Sequence, residues 1–297
     1  MFHVIYNPTA ARGRIRKYLD RLEDLLIGRS LPFEVHGTRY AGHAAELVRE
    51  LSREKADLLC LGGDGTLHEV LNGIENFDNV RLGLLPCGTG NDFAKAAGIP
   101  ANDVEKAMDI VLNQPASFVD FIALNDLRVM NVTGMGIDVE VLERAARGKI
   151  LKGKMQYYKS LIVSLFKFRW NHYRIRLDDE PETREHSAMI TAVCNGNYIG
   201  GGMNISPRSD IRDGKLDVVI VNEIKRRRIP KALLGFFNGK LLSYEFVDHF
   251  RCEKVEFLTD AKPVINADGE LLYNQQFRCE VVKDKLRMFL PPPKEQK

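Results

Sequence analysis

Residues 58–73 read Leu58-Leu59-Cys60-Leu61-Gly62-Gly63-Asp64-Gly65-Thr66-Leu67-His68-Glu69-Val70-Leu71-Asn72-Gly73. An apolar run of strand length is cut by two glycines, and a helical spacing of Leu67, Val70 and Leu71 begins at Thr66. A strand that turns into a helix through glycine lets backbone N–H groups come close to a ligand. The unpaired amides of the helix's first turn point at the same place. A carboxylate in that cradle, Asp64, would repel phosphate unless a divalent cation stood between them. The stretch therefore predicts a site for a metal–nucleoside triphosphate. The plain structural alternative is a strand-to-helix turn capped by Asp64 or Thr66.

The rest of the first hundred residues repeats the pattern. Residues 2–6 form a β-rich opening strand, followed by the turn chemistry of Asn7-Pro8 and a helix through Leu19, Leu22 and Leu26. Residues 33–38 predict a second strand that ends at Thr38, with a helix after Gly42-His43. A fourth strand leads into Pro86-Cys87-Gly88-Thr89-Gly90-Asn91-Asp92-Phe93-Ala94, where Thr89 and Asn91 offer hydrogen-bonding groups and Asp92 is placed to cap the next helix. Four strand–helix units in succession predict a parallel sheet with helices on both faces and ligand loops at the carboxyl ends of the strands. Neither a G-x-x-x-x-G-K-[ST] loop nor an opening G-x-G-x-x-G is present, so a P-loop NTPase and a standard dinucleotide fold lack support.

Beyond residue 115 the texture changes. Residues 117–122, 127–132, 173–177, 187–194, 216–221 and 254–258 read as strands joined mostly by turn residues, which predicts an antiparallel, sandwich-like second domain. The expected domains are 1–122 and 123–297, with the C-terminal tail returning to the first. From Arg144 to Leu177 there are ten Lys or Arg and no acid, interleaved with aromatic and aliphatic residues. A second basic run covers residues 225–228. Such windows are either solvated faces or contacts with an anionic lipid surface, where each cation contributes about 1 kcal/mol. Nucleic acid is the weaker partner, because no recognition motif accompanies the charge and the net charge is only +3.

Several classes are disfavoured. The five cysteines, an odd number without a C-x-x-C pair, read as free thiols in a reducing compartment. The histidines show no H-E-x-x-H spacing. A strand directly after Met1 leaves no room for a signal peptide, and the apolar window 160–166 is broken at Lys167 and Arg169, short of the roughly 20 residues a bilayer span needs. The expectation is a cytoplasmic protein, at most peripheral to a membrane.

Taken as full strings, GGDGTLHEVLNG and the P-x-G-T-x-N-D-F-A block resemble the diacylglycerol kinase catalytic-domain family of lipid kinases, and its soluble bacterial branch in particular. That family includes sphingosine and ceramide kinases. Its Gly-Gly-Asp-Gly-Thr core is shared with NAD kinases and, more loosely, with 6-phosphofructokinases. The resemblance covers essentially the whole chain and is strongest in residues 1–100. It implies an N-terminal parallel α/β nucleotide-binding domain and an antiparallel β-sandwich domain, with the active site in the cleft between them.

It also implies ATP and Mg²⁺, with the nucleotide held at Asn7, Pro8, Thr38, Gly62, Gly63, Asp64, Gly65, Thr66, Glu69, Gly88, Thr89, Asn91 and Asp92. Asp64 and Asp120 would hold the metal at the reacting phosphates. Glu270, in Asp268-Gly269-Glu270, would be the general base. The Asp213 side chain, with the backbone carbonyls of Asp210 and Lys215, matches a segment that holds a second, structural Mg²⁺.

The implied reaction, part of phospholipid biosynthesis, transfers the γ-phosphate of ATP to the primary hydroxyl of diacylglycerol, giving phosphatidate. An NAD kinase and a non-catalytic nucleotide-binding regulator are the alternatives, and the second glycine block and the Asp-Gly-Glu favour the lipid branch. The implied partner is a lipid at a membrane surface, with no nucleic acid; a homodimer is compatible with the sequence. The chain departs from the pattern at Ala10-Ala11-Arg12, where glycine or serine is common, and at Cys87.

Overall fold

The computed structural model describes residues 1–147, 160, 163–164, 170–260 and 262–292. The chain divides into two units, Met1–Asp120 with Lys283–Lys297, and Phe121–Val282.

In the first unit, strands β1 (Phe2–Tyr6), β2 (Phe33–Gly37), β3 (Ala56–Gly62) and β4 (Val80–Pro86) are joined by helices α1 (Ile15–Gly28), α2 (His43–Leu51) and α3 (Asp64–Gly73). Two more helices, α4 (Asp92–Ala96) and α5 (Val104–Asn113), follow. The four strands pair in parallel in the order β2-β1-β3-β4. β3 and β4 are buried along most of their length, as near-continuous apolar strands are when helices cover both sheet faces. α1 buries Ile15, Leu19, Leu22 and Leu26, and such side chains contribute about 1.5–3 kcal/mol each. It packs with α5, while α2 packs with α3.

The chain steps outward from β1 to β2 through α1, then back past β1 to β3 through α2. Right-handed crossovers in opposite directions place these helices on opposite faces. The reversal lies between β1 and β3, which is where open α/β sheets bind ligands. Tyr6 is level with Gly37 on one side and Leu61 on the other, so the loops that begin at Asn7, Thr38 and Gly63 leave the same sheet edge. One boundary differs from the sequence reading. Gly63, extended at φ −111° and ψ −166°, is the N-cap of α3, so the helix begins at Asp64 and not at Thr66.

The second unit takes over within β5 (Ala116–Leu124), followed by β6 (Leu127–Val129), β7 (Val132–Gly136), α6 (Ile137–Arg147), β8 (Asn171–Leu177) and β9 (Arg184–Cys194). After the short β10 (Tyr198–Ile199) and β11 (Met203–Asn204) come β12 (Leu216–Asn222), α7 (Ile229–Asn238), β13 (Val247–Cys252) and β14 (Lys254–Leu258). The unit closes with β15 (Ile265–Ala267), β16 (Glu270–Leu272) and the first part of β17 (Phe277–Phe289). Its ladders are antiparallel, β7, β8 and β12 all pairing with β9.

β12 divides its side chains between two cores. Leu216, Val218 and Ile220 join Val255, Phe257 and Phe277, while Val219 and Val221 join Ile137 and Val141 of α6 and Ile229, Ala232 and Phe236 of α7. Helices α6 and α7 are absent from the sequence reading of this region, and they explain why β12 is apolar at nearly every position. The predicted strand 127–132 is in fact two, interrupted at Met130-Asn131.

Candidate active site

The two glycine blocks meet backbone to backbone. A Cβ on Gly88 would stand 2.5 Å from Gly63 Cα, and one on Gly63 would stand 2.9 Å from Gly88 Cα, so no side chain fits at either position. The Cys87 amide donates to the Gly62 carbonyl at 2.9 Å and fixes the register of the contact.

Asp64 leans across this seam. Its Oδ1 accepts the Phe93 amide at the start of α4 at 3.2 Å, and a Cβ on Gly90 would lie 2.8 Å from its Oδ2. The helix end therefore orients the carboxylate, and the carboxylate stabilises the helix end. This corrects the capping role read for Asp92. The N-cap of α4 is Asn91, at φ 52°, and the Asp92 Oδ1 accepts from Lys95 Nζ at 2.9 Å. Lys95, which sequence reasoning missed, also donates to the Gly90 carbonyl at 2.8 Å and sets a cation inside the second loop. Asn91 Nδ2 donates to the Gly88 carbonyl at 3.0 Å, whereas its Oδ1 is buried without a hydrogen-bond partner. A buried acceptor left in this way fits an N–H or O–H of a bound molecule.

The remaining predicted nucleotide residues lie on the same edge or just behind it. Asn7 Oδ1 accepts the Thr9 amide at 2.9 Å and its hydroxyl at 2.8 Å, an Asx turn that shapes the loop opening at exposed Pro8. The Thr38 amide bonds the Tyr6 carbonyl at 2.9 Å. Gly65 is exposed, Thr66 half-buried in the first turn of α3, and Thr89 exposed at the tip of the second loop. Glu69 faces away from the seam in its bonding, since its Oε2 accepts the Ala44 amide of α2 at 3.1 Å. That contact ties α3 to the helix following Thr38. Asp120 is buried in β5.

In the second unit, Asp268-Gly269 is a two-residue turn between β15 and β16, with φ of 50° and 100°. Positive φ at both positions is what a type I′ hairpin requires. Glu270 follows as the first residue of β16 and is exposed. The Asp268 carboxylate accepts three amides, Met130 at 2.6 Å and Asn131 and Val132 at 3.0 Å each. Asn266 Oδ1 accepts the Gly269 amide at 2.9 Å, and its Nδ2 donates at 3.0 Å to Asp138 Oδ2 at the start of α6. Burial pushes the Asp138 carboxyl up to about 6, and its Oδ1 has no hydrogen-bond partner. Asp138, Asn266 and Asp268 are thus the frame of the hairpin that presents Glu270. The sequence signals only its turn.

Asp213 Oδ1 accepts the Lys215 amide at 3.0 Å, and its Oδ2 accepts from the Arg251 guanidinium. The Asp210 carbonyl already accepts the Asp213 amide, and Asp210 Oδ1 accepts the Arg212 amide at 3.1 Å. The charge of Asp213 is met by the Arg251 guanidinium. Of the basic window, residues 149, 152, 154, 159, 167 and 169 lie outside the described residues. Within it, Arg176 pairs with Glu256 at 3.1 Å. In the second basic run, exposed Arg228 pairs with Glu245 at 2.6 Å. All five cysteines are buried and unpaired. No helix among the described residues is long and apolar enough to cross a membrane.

Two domain models match the chain in succession. Residues 1–124 match the model of the diacylglycerol kinase catalytic domain, and residues 131–290 match that of the YegS C-terminal NAD kinase beta sandwich-like domain. The chain belongs to the diacylglycerol kinase catalytic-domain family. It is a lipid kinase, a phosphotransferase that draws on a nucleoside triphosphate. A diacylglycerol kinase of Bacillus subtilis (strain 168) is 29% identical over 98% of this chain and 96% of its own length. The crystal structure of a diacylglycerol kinase from Bacillus anthracis str. Sterne superposes with a TM-score of 0.72 at 20% identity, covering 98% of this chain and 97% of that one. At that identity the likeness speaks for the fold alone.

In this lipid kinase the paired glycine loops stand at the carboxyl ends of β3 and β4 in the α/β unit. A loop of backbone N–H groups at a helix start, a lysine that reaches the second loop from α4 and a carboxylate between them make the donor and acceptor set that a metal-bound polyphosphate needs.

Proposed function

We propose that this lipid kinase transfers the γ-phosphate of ATP to the hydroxyl of diacylglycerol, with Mg²⁺ as the metal, and yields phosphatidate and ADP. The observation that carries the reading is the Gly63–Gly88 contact with Asp64 across it. It forms a cradle whose floor is backbone, with the Asp64 carboxylate held by a helix terminus and that of Asp92 held by Lys95. The choice of acceptor is supported by the full-length likeness to the Bacillus subtilis enzyme, whose name specifies diacylglycerol.

Bound at Asp64 and Asp120, Mg²⁺ would screen the phosphates from the carboxylates and offset the charge developing on the transferred group. The amides of residues 63–66 and 88–90 would cradle the phosphate oxygens, and Asn91 Oδ1 would accept a hydrogen bond from the nucleotide. Glu270 is the proposed general base. It takes the acceptor proton as the hydroxyl oxygen bonds to the γ-phosphorus and the bond to the ADP oxygen breaks, a role typically contributing 10²–10⁴-fold. Asp268 and Asn266 hold the turn that aims it.

The test is transfer of labelled γ-phosphate from ATP to diacylglycerol, sphingosine, ceramide and NAD in parallel. Labelled phosphatidate as the main product supports the proposal, and label in NAD or in another lipid replaces it. We also propose that the basic window from Arg144 to Arg176 draws the enzyme to anionic membranes. Cosedimentation should rise with phosphatidylglycerol in the vesicles, fall with salt, and weaken when Lys149, Lys152 and Lys154 are neutralised together. Binding indifferent to lipid charge overturns this part.

A further inference from the structure

We propose that His3, Glu34 and His36 form a binding site for a divalent transition-metal ion of the zinc class, on the β1–β2 edge of the first unit. Nothing in the kinase chemistry uses these residues. In the parallel register His3 lies opposite Glu34, and Glu34 and His36 are two apart on β2, so all three project from one sheet face. β2 is the terminal strand of this part of the sheet, which leaves the cluster open to solvent along one side. The histidine side chains are 12% and 14% exposed and that of Glu34 is 58% exposed.

The geometry points to one shared centre. His3 Nδ1 is 3.2 Å from His36 Nε2, and Glu34 Oε2 is 3.7 Å from the first and 3.8 Å from the second. The circumradius of that triangle, the product of its sides divided by four times its area, is about 2.1 Å. A point therefore exists at that distance from all three donor atoms, and Zn–N and Zn–O bonds span about 2.0–2.2 Å.

The donor set selects the ion class. Two imidazoles and one carboxylate suit zinc and its first-row neighbours, with a further position left for water, whereas Mg²⁺ and Ca²⁺ favour all-oxygen shells. Metal binding requires neutral imidazoles. The other carboxylate near His3, Asp57, is occupied by the Arg81 guanidinium through two bonds of 2.6 Å. Without metal, the two rings share a single hydrogen bond beside a carboxylate. An ion would bind all three groups to one another and lock the edge strand to β1 just before the loops at Asn7 and Thr38.

The test uses the full chain, treated with chelator, dialysed and titrated with ZnCl₂ in a calorimeter. Thermal melting is followed alongside. Wild type should bind one more equivalent of Zn²⁺ than Glu34→Gln, His3→Gln or His36→Gln, and its Tm should rise with added zinc more than theirs. Millimolar Mg²⁺ should leave that equivalent in place. Glu34 is exposed, so Glu34→Gln should melt like wild type in the absence of metal and keep the comparison clean. Equal zinc stoichiometry in wild type and all three variants, or no zinc-dependent rise in Tm specific to wild type, overturns the site. Kinase activity with Mg²⁺ is a separate readout, so failure of the zinc site leaves the proposed reaction untouched, and the reverse holds as well.

Discussion

The glycine cradle of the first unit and the Asp-Gly-Glu hairpin of the second are both built on tight turns, yet they are stabilised in opposite ways. The cradle is a backbone contact. Gly63 and Gly88 touch because neither has a side chain, and the Cys87 amide closes the seam. The hairpin is held by side chains reaching backbone far away in sequence, with Asp268 taking the amides of residues 130–132 and Asn266 joining Gly269 to Asp138. A backbone contact tolerates no added atom, whereas a side-chain frame can be dismantled one bond at a time. The two regions should therefore respond differently to substitution.

The largest effect is expected at the cradle's carboxylate. Asp64→Ala should bring turnover to background, and the loss of its bond to Phe93 should cost about 1 kcal/mol of stability. Phosphoryl transfer assays paired with thermal melting check both, and near-normal turnover at limiting Mg²⁺ would remove Asp64 from the site. Next comes the hairpin's proposed general base. Glu270→Gln keeps size and removes the base, so kcat should fall by about 10²–10⁴ with nucleotide affinity near wild type. Equal loss of kcat and nucleotide binding would place Glu270 with the nucleotide or in the fold instead.

Two further changes sharpen the contrast. Gly88→Ala should drive the loops apart, with overpacking costs of about 1–3 kcal/mol, and should weaken nucleotide binding as well as rate. Asp268→Ala should leave nucleotide binding intact. It strands three amides, and each buried donor left unsatisfied costs about 1–3 kcal/mol, so Tm and kcat should fall together. If both variants altered nucleotide binding alike, the two regions would not be separable in this way.

The smallest effect concerns Asp138. Its folded pKa, about 6, is raised above the ordinary carboxylate value of 3.8 by burial, so its contribution to stability is fully present below pH 3.8 and is lost as pH rises through 6. Asp138→Asn keeps an acceptor for Asn266 and has no charge to bury. Melting should show the variant more stable than wild type at pH 8, with the gain fading towards pH 4. A gain that did not depend on pH would mean Asp138 is uncharged throughout.

The sequence by itself determined the parts that depend on local chemistry. Apolar runs broken by Gly62-Gly63 and by Pro86 set the strand-to-loop transitions, the spacing of Leu19, Leu22 and Leu26 set the buried face of α1, and Asp-Gly set the I′ turn before Glu270. Those signals lie within a few residues of one another, where backbone preference and periodicity act.

Only the tertiary structure decided which distant groups share a bond. It gave the α4 helix end to Asp64 and not to Asp92, turned Glu69 towards α2, supplied Arg251 to Asp213, and covered β12 with two helices that strand patterning hides. It also set His3 beside Glu34 and His36 across a parallel register. The reason is physical. A buried carboxylate, amide or ring must find a partner wherever the packed chain offers one, and a one-dimensional sequence carries the need for that partner without its address.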